Sequence, residues 1–143
     1  MSNLQQYIDL ETVLSAEEIV HFLNSEGDTT LQLFTTARKI KLNYIGNVVH
    51  FRGLIEFSNI CRKNCYYCGI RKDNNAVQRY TLSEDEIVSA AQFAHQNGYG
   101  SIVLQSGELA SPQFTDFIER ILRKIHDTTN GQLGITLSLG EQT

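Results

Sequence analysis

The chain has 143 residues, of which 41% are hydrophobic and 20% charged, and its net charge is -4. These values are typical of a globular protein of one ordinary domain. No run of about 18 apolar residues predicts a membrane span, and no basic tract or arginine-rich face predicts nucleic-acid binding. The N-terminus lacks the basic start and apolar stretch of a secretory signal, so we expect a cytoplasmic protein.

The first part of the chain predicts two helices. Ser15 and Glu18 have the spacing of a capping box, which opens the first helix. The second helix is expected over about 31–44. With a loosely held lead at residues 1–10, these helices make up a predicted N-terminal helical segment, residues 1–46.

Strands and helices alternate in the rest of the chain. Apolar and β-branched runs predict strands at 48–57, 101–105 and 134–139, with a bulge or break at Gly53 in the first. Helix-start signals lie between them, a second capping box at Ser83 and a Ser-Pro pair at Ser111. The second of these helices carries an apolar stripe that should face the core, formed by Phe114, Phe117, Ile118, Ile121, Leu122 and Ile125.

This alternation predicts an α/β fold with parallel strands and right-handed crossovers. We interpret residues 47–143 as the N-terminal part of a TIM-type (β/α) barrel, with its first three strands. Because a whole barrel takes about 250 residues, the barrel is expected to be incomplete in this chain.

A polar segment with a site-like composition follows each predicted strand. The segments are SNIC, QSGE and SLGE, in chain order. The carboxyl ends of parallel strands meet at one rim, which is where (β/α) barrels place their chemistry. The sequence therefore predicts a functional site at that rim.

Three cysteines, the only ones in the chain, lie in the first of these loops with the spacing Cys-x3-Cys-x2-Cys. Cys61, Cys65 and Cys68 could hold three irons of a [4Fe–4S] cube, and the fourth iron would stay open to a small molecule. The alternatives are a zinc site and three free thiols. Structural zinc requires four ligands, and no histidine lies within ten residues of the cysteines. The odd number of cysteines disfavours a disulfide framework.

These residues resemble the radical S-adenosylmethionine (SAM) enzymes, whose hallmark is Cys-x3-Cys-x-aromatic-Cys after the first barrel strand. The resemblance covers roughly residues 30–143, and it is carried by RGLIEFSNICRKNCYYCGIRKDN, RYTLSEDEIVSAA, IVLQSGE and TLSLGE. More narrowly, the strings look like those of the [FeFe]-hydrogenase maturases of the HydE type. Biotin synthase and methylornithine synthase are their close kin.

The resemblance implies a role for each matching residue. Cys61, Cys65 and Cys68 would bind the cluster, and the amino and carboxylate groups of SAM would chelate the open iron. Tyr67 would pack at the adenine side of SAM.

The resemblance also implies SAM contacts in the two later loops. There Ser106, Gly107 and Glu108 occupy the place of the family's Gly-Gly-Glu segment, which receives the amino group of SAM. Ser106 departs from that pattern by replacing the first glycine, and its hydroxyl could also touch SAM. Glu141 would face SAM or the substrate.

The implied reaction is reductive cleavage of SAM to methionine and a 5′-deoxyadenosyl radical. The implied partners are SAM, a small-molecule or iron-complex substrate, and an electron donor such as ferredoxin or flavodoxin. Cations surround the cysteines and form either a solvated rim or a docking surface for the donor; they are Arg62, Lys63, Arg71 and Lys72. The alternative functions are a biotin synthase-like or methylornithine synthase-like enzyme and a non-catalytic iron–sulfur-binding module.

Overall fold

The computed structural model describes residues 13–141, so the predicted lead at 1–10 lies outside the described residues. The chain divides into two compact units, Met1–Val49 and His50–Thr143. The division falls three residues after the end of the predicted N-terminal segment at position 46, and the functional boundary itself stays a prediction. None of the helices within residues 13–141 is long and apolar enough to cross a membrane.

The first unit contains two helices, α1 (Ala16–Leu23) and α2 (Asp28–Tyr44). Ser15 and Glu18 form the predicted capping box, because the Ser15 hydroxyl accepts from the Glu18 N–H and the Glu18 carboxylate accepts from the Ser15 N–H. α2 begins three residues earlier than predicted. Its N-cap is Gly27, whose φ of 59° allows the chain to turn sharply into the helix without a side-chain cap.

The second unit is a three-stranded parallel sheet with two helices, in the order β1 (Arg52–Ser58), α3 (Glu84–Gln96), β2 (Ser101–Ser106), α4 (Pro112–Thr128), β3 (Gly134–Ser138). The strands lie side by side in chain order, β1-β2-β3. Both helices pack on the same face of the sheet. Sequential parallel strands with helices on one face are the arrangement that winds into a (β/α) barrel.

The first strand differs from its prediction at its start and at its bulge. Positions 48–51 precede the strand, because the first pair of the β1–β2 register is Arg52 with Ser101. The β-branched and aromatic side chains that suggested a strand there, Val48, Val49 and Phe51, are exposed instead. Gly53 pairs in register with Ile102, and the irregularity lies between Glu56 and Ser58.

The core lies between the sheet and the two helices. The fully buried side chains at its centre come from four elements, β1, α3, β2 and α4. They are Phe57, Ile87, Ile102, Leu104, Ile121 and Ile125. The stripe predicted on α4 supplies three buried isoleucines, Ile118, Ile121 and Ile125, while its other members are partly buried. Burial of this apolar area makes the main free-energy contribution to the packing of the sheet against its two helices.

The opposite face of the sheet is more polar and open. The Arg52 guanidinium donates to the Thr136 hydroxyl, which links the two outer strands across β2. The Gln105 amide donates to the Ser138 hydroxyl at 3.4 Å. Leu54 on this face is 57% exposed. In a barrel this is the face that points inwards.

Candidate functional site

The three polar segments predicted at the strand ends do meet at one rim of the sheet. β1 runs into the segment 59–82, β2 into 107–111 and β3 into 139–141. The part of the first segment between Asn59 and Tyr80 contains the cysteines and is called the cysteine loop below.

The cysteine loop leaves β1 and returns to it. On its return, the Leu82 N–H donates to the Phe57 carbonyl at 2.8 Å, and Thr81 forms an antiparallel bridge with Ser58. The Asn59 N–H donates to the Tyr80 carbonyl at 3.3 Å. The two ends of the loop are therefore fixed to each other at the carboxyl end of β1.

The loop is also ordered from within. The Cys68 N–H donates to the Cys65 carbonyl at 2.9 Å, which makes a tight turn between the second and third cysteines. The Lys72 N–H donates to the Lys63 carbonyl at 2.8 Å, which ties the two sides of the loop together. These backbone bonds keep the three thiols within one short, shaped segment.

All three thiols are free, with Cys61 and Cys68 half-buried and Cys65 exposed. The Cys61 sulfur accepts N–H groups from Lys63 and from Glu108, each at 3.4 Å. Within residues 13–141, no three histidine, cysteine or acidic side chains stand around a point that could hold a metal ion.

This geometry supplies no four-ligand set for a structural zinc among the residues described. A [4Fe–4S] cube needs a different arrangement, since it holds its thiolates farther apart than a single ion does. Cysteine thiolates hold such a cube, and hydrogen bonds to their sulfurs tune its reduction potential. The loop provides three free thiols and two N–H groups that donate to one of the sulfurs.

Gly107 is the point where the segment after β2 packs on the cysteine loop. Its N–H donates to the Ser58 carbonyl at 3.1 Å. A Cβ at Gly107 would lie 2.3 Å from the Ile60 carbonyl oxygen and 2.8 Å from the Cys61 Cβ. Only glycine permits this approach of two backbones, and it brings Glu108 beside the first cysteine.

Glu108 lies in a cationic pocket made by the cysteine loop. Its carboxylate is 3.1 Å from Arg62 Nη2 and 3.2 Å from Lys63 Nζ, and its side chain is only 13% exposed. Burial raises the pKa of Glu108, but hydrogen bonds from Lys63 and Arg62 outweigh it and leave the pKa below its ordinary value. The side chain is therefore a carboxylate at neutral pH.

The third loop joins the same group of charges. Gly140 has a φ of +77°, and a Cβ there would lie 2.4 Å from the Glu108 Cγ. The backbone of Glu141 also helps to lower the pKa of Glu108. The Glu141 side chain is 88% exposed, with its nearest cation, Lys63, at 3.9 Å. The structure thus brings Glu108 and Glu141 together around Lys63.

Two predicted SAM-binding residues stand apart from this charge cluster. Tyr67 is 93% exposed and projects from the cysteine loop. The Ser106 hydroxyl donates to the Gly107 carbonyl at 2.8 Å, so it is engaged with its own backbone.

Sequence analysis missed two residues that shape the site, Asn59 and Arg79. Arg79 donates hydrogen bonds to several carbonyls of the cysteine loop, and the Asn59 side chain pairs with the backbone on both sides of Arg79. No spacing rule marks a lone arginine or asparagine in a loop. Both residues lie within the strings that carry the family resemblance, which assigns them no role.

Comparisons with known proteins agree with this geometry. The radical SAM superfamily matches residues 55–140, which include the last four residues of β1, the cysteine loop, β2 and β3. The [FeFe] hydrogenase maturase subunit HydE of Thermotoga maritima (strain ATCC 43589 / DSM 3109 / JCM 10099 / NBRC 100826 / MSB8) is 47% identical over 110 residues, which are 76% of this chain and 30% of that protein. Biotin synthase of Staphylococcus aureus (strain JH9) is 31% identical over 141 residues, 96% of this chain and 42% of that protein.

The fold is similar to that of methylornithine synthase (PylB), with a TM-score of 0.74 at 24% identity over 95% of this chain and 40% of that one. This likeness confirms the predicted α/β fold and the partial barrel. The chain spans 30% to 42% of the length of these proteins. The match covers most of the second unit, including every cysteine. The chain belongs to the radical SAM superfamily.

Proposed function

We propose that this chain forms the cluster-binding and SAM-binding part of a radical SAM enzyme that acts in the maturation of [FeFe]-hydrogenase. Radical SAM enzymes use a [4Fe–4S] cluster and SAM. The observation that carries the proposal is the cysteine loop, held at the rim of the sheet with Gly107 packed against it and Glu108 beside Cys61. The identity to the hydrogenase maturase supports the narrower role.

The cysteine loop would hold the cluster through Cys61, Cys65 and Cys68. When bound, the cluster supplies the electron that breaks the carbon–sulfur bond of SAM, giving methionine and a 5′-deoxyadenosyl radical. The N–H groups of Lys63 and Glu108 donate to the Cys61 sulfur, and they would stabilise the charge of a thiolate bound to the cluster. Arg62 and Lys63 add positive charge to the same side of the loop.

Glu108 would receive the amino group of SAM. Its carboxylate is ionised, little exposed and adjacent to the first cysteine. Arg62 and Lys63 now hold that carboxylate, so an ammonium group would share it with them or displace one of them. Gly107 lets the backbone lie close enough to the loop for this contact.

Three further side chains would complete the SAM site. Tyr67 projects freely and would cover the adenine. Ser106 would contact SAM by turning its hydroxyl away from the Gly107 carbonyl. Glu141 presents an exposed carboxylate at the same rim, suited to SAM or to the substrate.

The proposal extends to the partners and the compartment. The substrate would be a small molecule or an iron complex, and ferredoxin or flavodoxin would supply the electron. Free thiols are maintained in a reducing compartment, so we place the protein in the cytoplasm. Arg62 and Lys63 are engaged with Glu108, which leaves Arg71 and Lys72 as the loop cations available to an acidic electron donor.

A second candidate is a biotin synthase-like enzyme. The similarity to biotin synthase extends over 96% of this chain, farther than the similarity to the hydrogenase maturase, although at lower identity. Both candidates share the cluster and SAM, and they differ in substrate. Formation of biotin by the reconstituted protein would favour this second candidate, and activation of an [FeFe]-hydrogenase would favour the first.

The test uses anaerobic reconstitution with iron and sulfide, followed by electron paramagnetic resonance with and without SAM. A [4Fe–4S] signal that changes shape on addition of SAM is expected, together with SAM cleavage under dithionite. Cys65→Ala should abolish both. Tyr66→Ala is the matched control, since Tyr66 adjoins Cys65 and is 93% exposed.

Each other outcome contradicts part of the proposal. A cluster indifferent to SAM would indicate a non-catalytic iron–sulfur module. SAM cleavage by Cys65→Ala at the wild-type rate would overturn the cluster assignment.

A further inference from the structure

We infer that Arg79 is a positioning residue that holds the cysteine loop in its cluster-binding shape before any cluster is present. The inference rests on the proposed function of that loop. Its basis is a set of hydrogen bonds from one guanidinium group to five backbone carbonyls. Nη1 donates to the carbonyls of Asn59 at 2.7 Å and Ile70 at 2.8 Å. Nη2 donates to Arg71 at 2.7 Å, and at longer range to Asn74 at 3.2 Å and Lys72 at 3.4 Å.

These five carbonyls come from the two ends of the cysteine-bearing segment. Asn59 lies two residues before Cys61, while positions 70–74 follow Cys68. One rigid, planar group therefore fixes the entry and the exit of the segment that contains all three thiols. The two Nη atoms carry four of the guanidinium's N–H donors in one fixed plane, so the three carbonyls at Nη2 share two of them, whereas an ammonium is a compact point charge with three donors. Lysine cannot reproduce this set of contacts.

The anchor of Arg79 is itself rigid. The Asn59 side-chain amide donates to the Gln78 carbonyl at 2.8 Å and accepts the Tyr80 N–H at 2.9 Å. These two bonds grip the backbone on either side of Arg79. Asn59 is 8% exposed and follows β1 directly. The Arg79 guanidinium is therefore held in a fixed position relative to the sheet. Its hydrogen bonds hold the loop in a fixed position relative to the sheet as well.

The arrangement has a cost that a solvated arginine would not have. Within residues 13–141, no carboxylate forms an ion pair with the half-buried Arg79, and its guanidinium is hydrogen-bonded to carbonyl groups instead. Removing the guanidinium would leave carbonyls without donors and would free the ends of the loop. Cluster binding would then have to supply the free energy that orders the loop. The apparent affinity for iron and sulfide would therefore be lower.

The test compares Arg79→Lys and Arg79→Gln with Arg71→Lys as the matched control. Arg71 is also half-buried in the loop, but its side chain makes one 3.4 Å bond, to the Cys68 carbonyl. Hydrogen exchange is measured on the cluster-free protein at Cys68, Lys72 and Asn74, whose N–H groups bond within the loop. We expect exchange at least about tenfold faster in both Arg79 variants, since several charge-assisted hydrogen bonds are lost. The control should exchange at the wild-type rate.

A second measurement ties the loop to the cluster. Iron bound per chain after reconstitution should fall in the Arg79 variants, and free guanidinium at non-denaturing concentration should partly restore it in Arg79→Ala. Unchanged exchange in the loop would overturn the inference. So would an equal acceleration at Ile102 and Leu104 in β2, which would make Arg79 a general stabiliser of the fold. If the wild type takes up no cluster while loop exchange still depends on Arg79, the proposed function fails and the holding role of Arg79 stands.

Discussion

The core and the cysteine loop are held together by different forces. The core side chains Ile102, Leu104 and Ile121 are fully buried and attract one another without directional constraint. The cysteine loop buries little, and its shape depends on hydrogen bonds with defined donors and acceptors, above all those of Arg79. A change in the core should therefore mainly reduce stability, while a change in the loop or at its contacts should mainly alter the geometry of the loop.

The largest expected effect comes from the core. Ile121→Ala removes a side chain with no exposed area from the centre of α4. We expect the free energy of unfolding to fall by about 2–5 kcal/mol, because the loss of buried apolar surface and the cavity left behind both destabilise the fold. Chemical denaturation monitored by circular dichroism measures this. Ile45→Ala, at a residue that is 63% exposed, should change stability by less than about 0.5 kcal/mol. Equal effects of the two changes would contradict the assigned core.

A smaller effect on stability and a larger one on iron binding are expected from Gly107→Ala. The new methyl group would meet the Ile60 carbonyl, which is backbone and cannot swing aside. We expect a cost of about 1–3 kcal/mol and a clear loss of iron after reconstitution. Gly69→Ala, within the cysteine loop itself, is the control, since nothing lies within 4 Å of its Cβ position and no positive φ constrains it. Full iron binding by Gly107→Ala would show that the loop does not need its close contact with β2.

The smallest expected effect concerns a surface bridge over the core. Glu84 on α3 is held by Lys124 at 2.8 Å and Arg120 at 2.8 Å, both on α4. Hydrogen bonds from Lys124 and Arg120 lower the pKa of Glu84 in the folded protein. A lowered pKa contributes stability above the unfolded-state pKa, and this contribution disappears as the pH falls through the folded-state pKa.

Glu84→Gln should therefore be less stable than the wild type at neutral pH, and the two should converge in acid. The measurement is thermal unfolding as a function of pH. Glu119→Gln, which breaks a pair within α4 only, should have a weaker effect because no second helix is involved. A constant difference at every pH would show that the charge of Glu84 is not what matters.

Much of the fold could be predicted because its signals are local. Capping boxes at Ser15 and Ser83, and the Ser111–Pro112 start of α4, depend on residues three positions apart or fewer. The stripe on α4 repeats with the helical period. The start of β1 was predicted wrongly because a strand needs a partner, and positions 48–51 have none in the register of β2.

The site was predictable in its residues and less so in its contacts. Cysteine spacing located the loop, and chain order placed Glu108 and Glu141 at the same rim. The engagement of Glu108 by Arg62 and Lys63 is a tertiary contact across 46 and 45 positions, which no local pattern encodes. The role of Arg79 is not predictable from local sequence for the same reason. Its acceptors are backbone carbonyls, which every residue carries, so no residue type marks them. The ligand roles of the cysteines and of the SAM-contact residues remain predictions that the experiments above address.

The side-by-side order of β1, β2 and β3 has a consequence for biosynthesis. β2 pairs with β1, and β3 pairs with β2, so a nascent chain leaving the ribosome finds the template for each of these two strands already synthesised. The three described strands can therefore pair in the order in which they are made. The cysteine loop precedes β2 in the chain, so its closure by Arg79 is available before Gly107 and Glu108 are synthesised, and the cysteine-bearing segment is shaped by the residues that emerge with it.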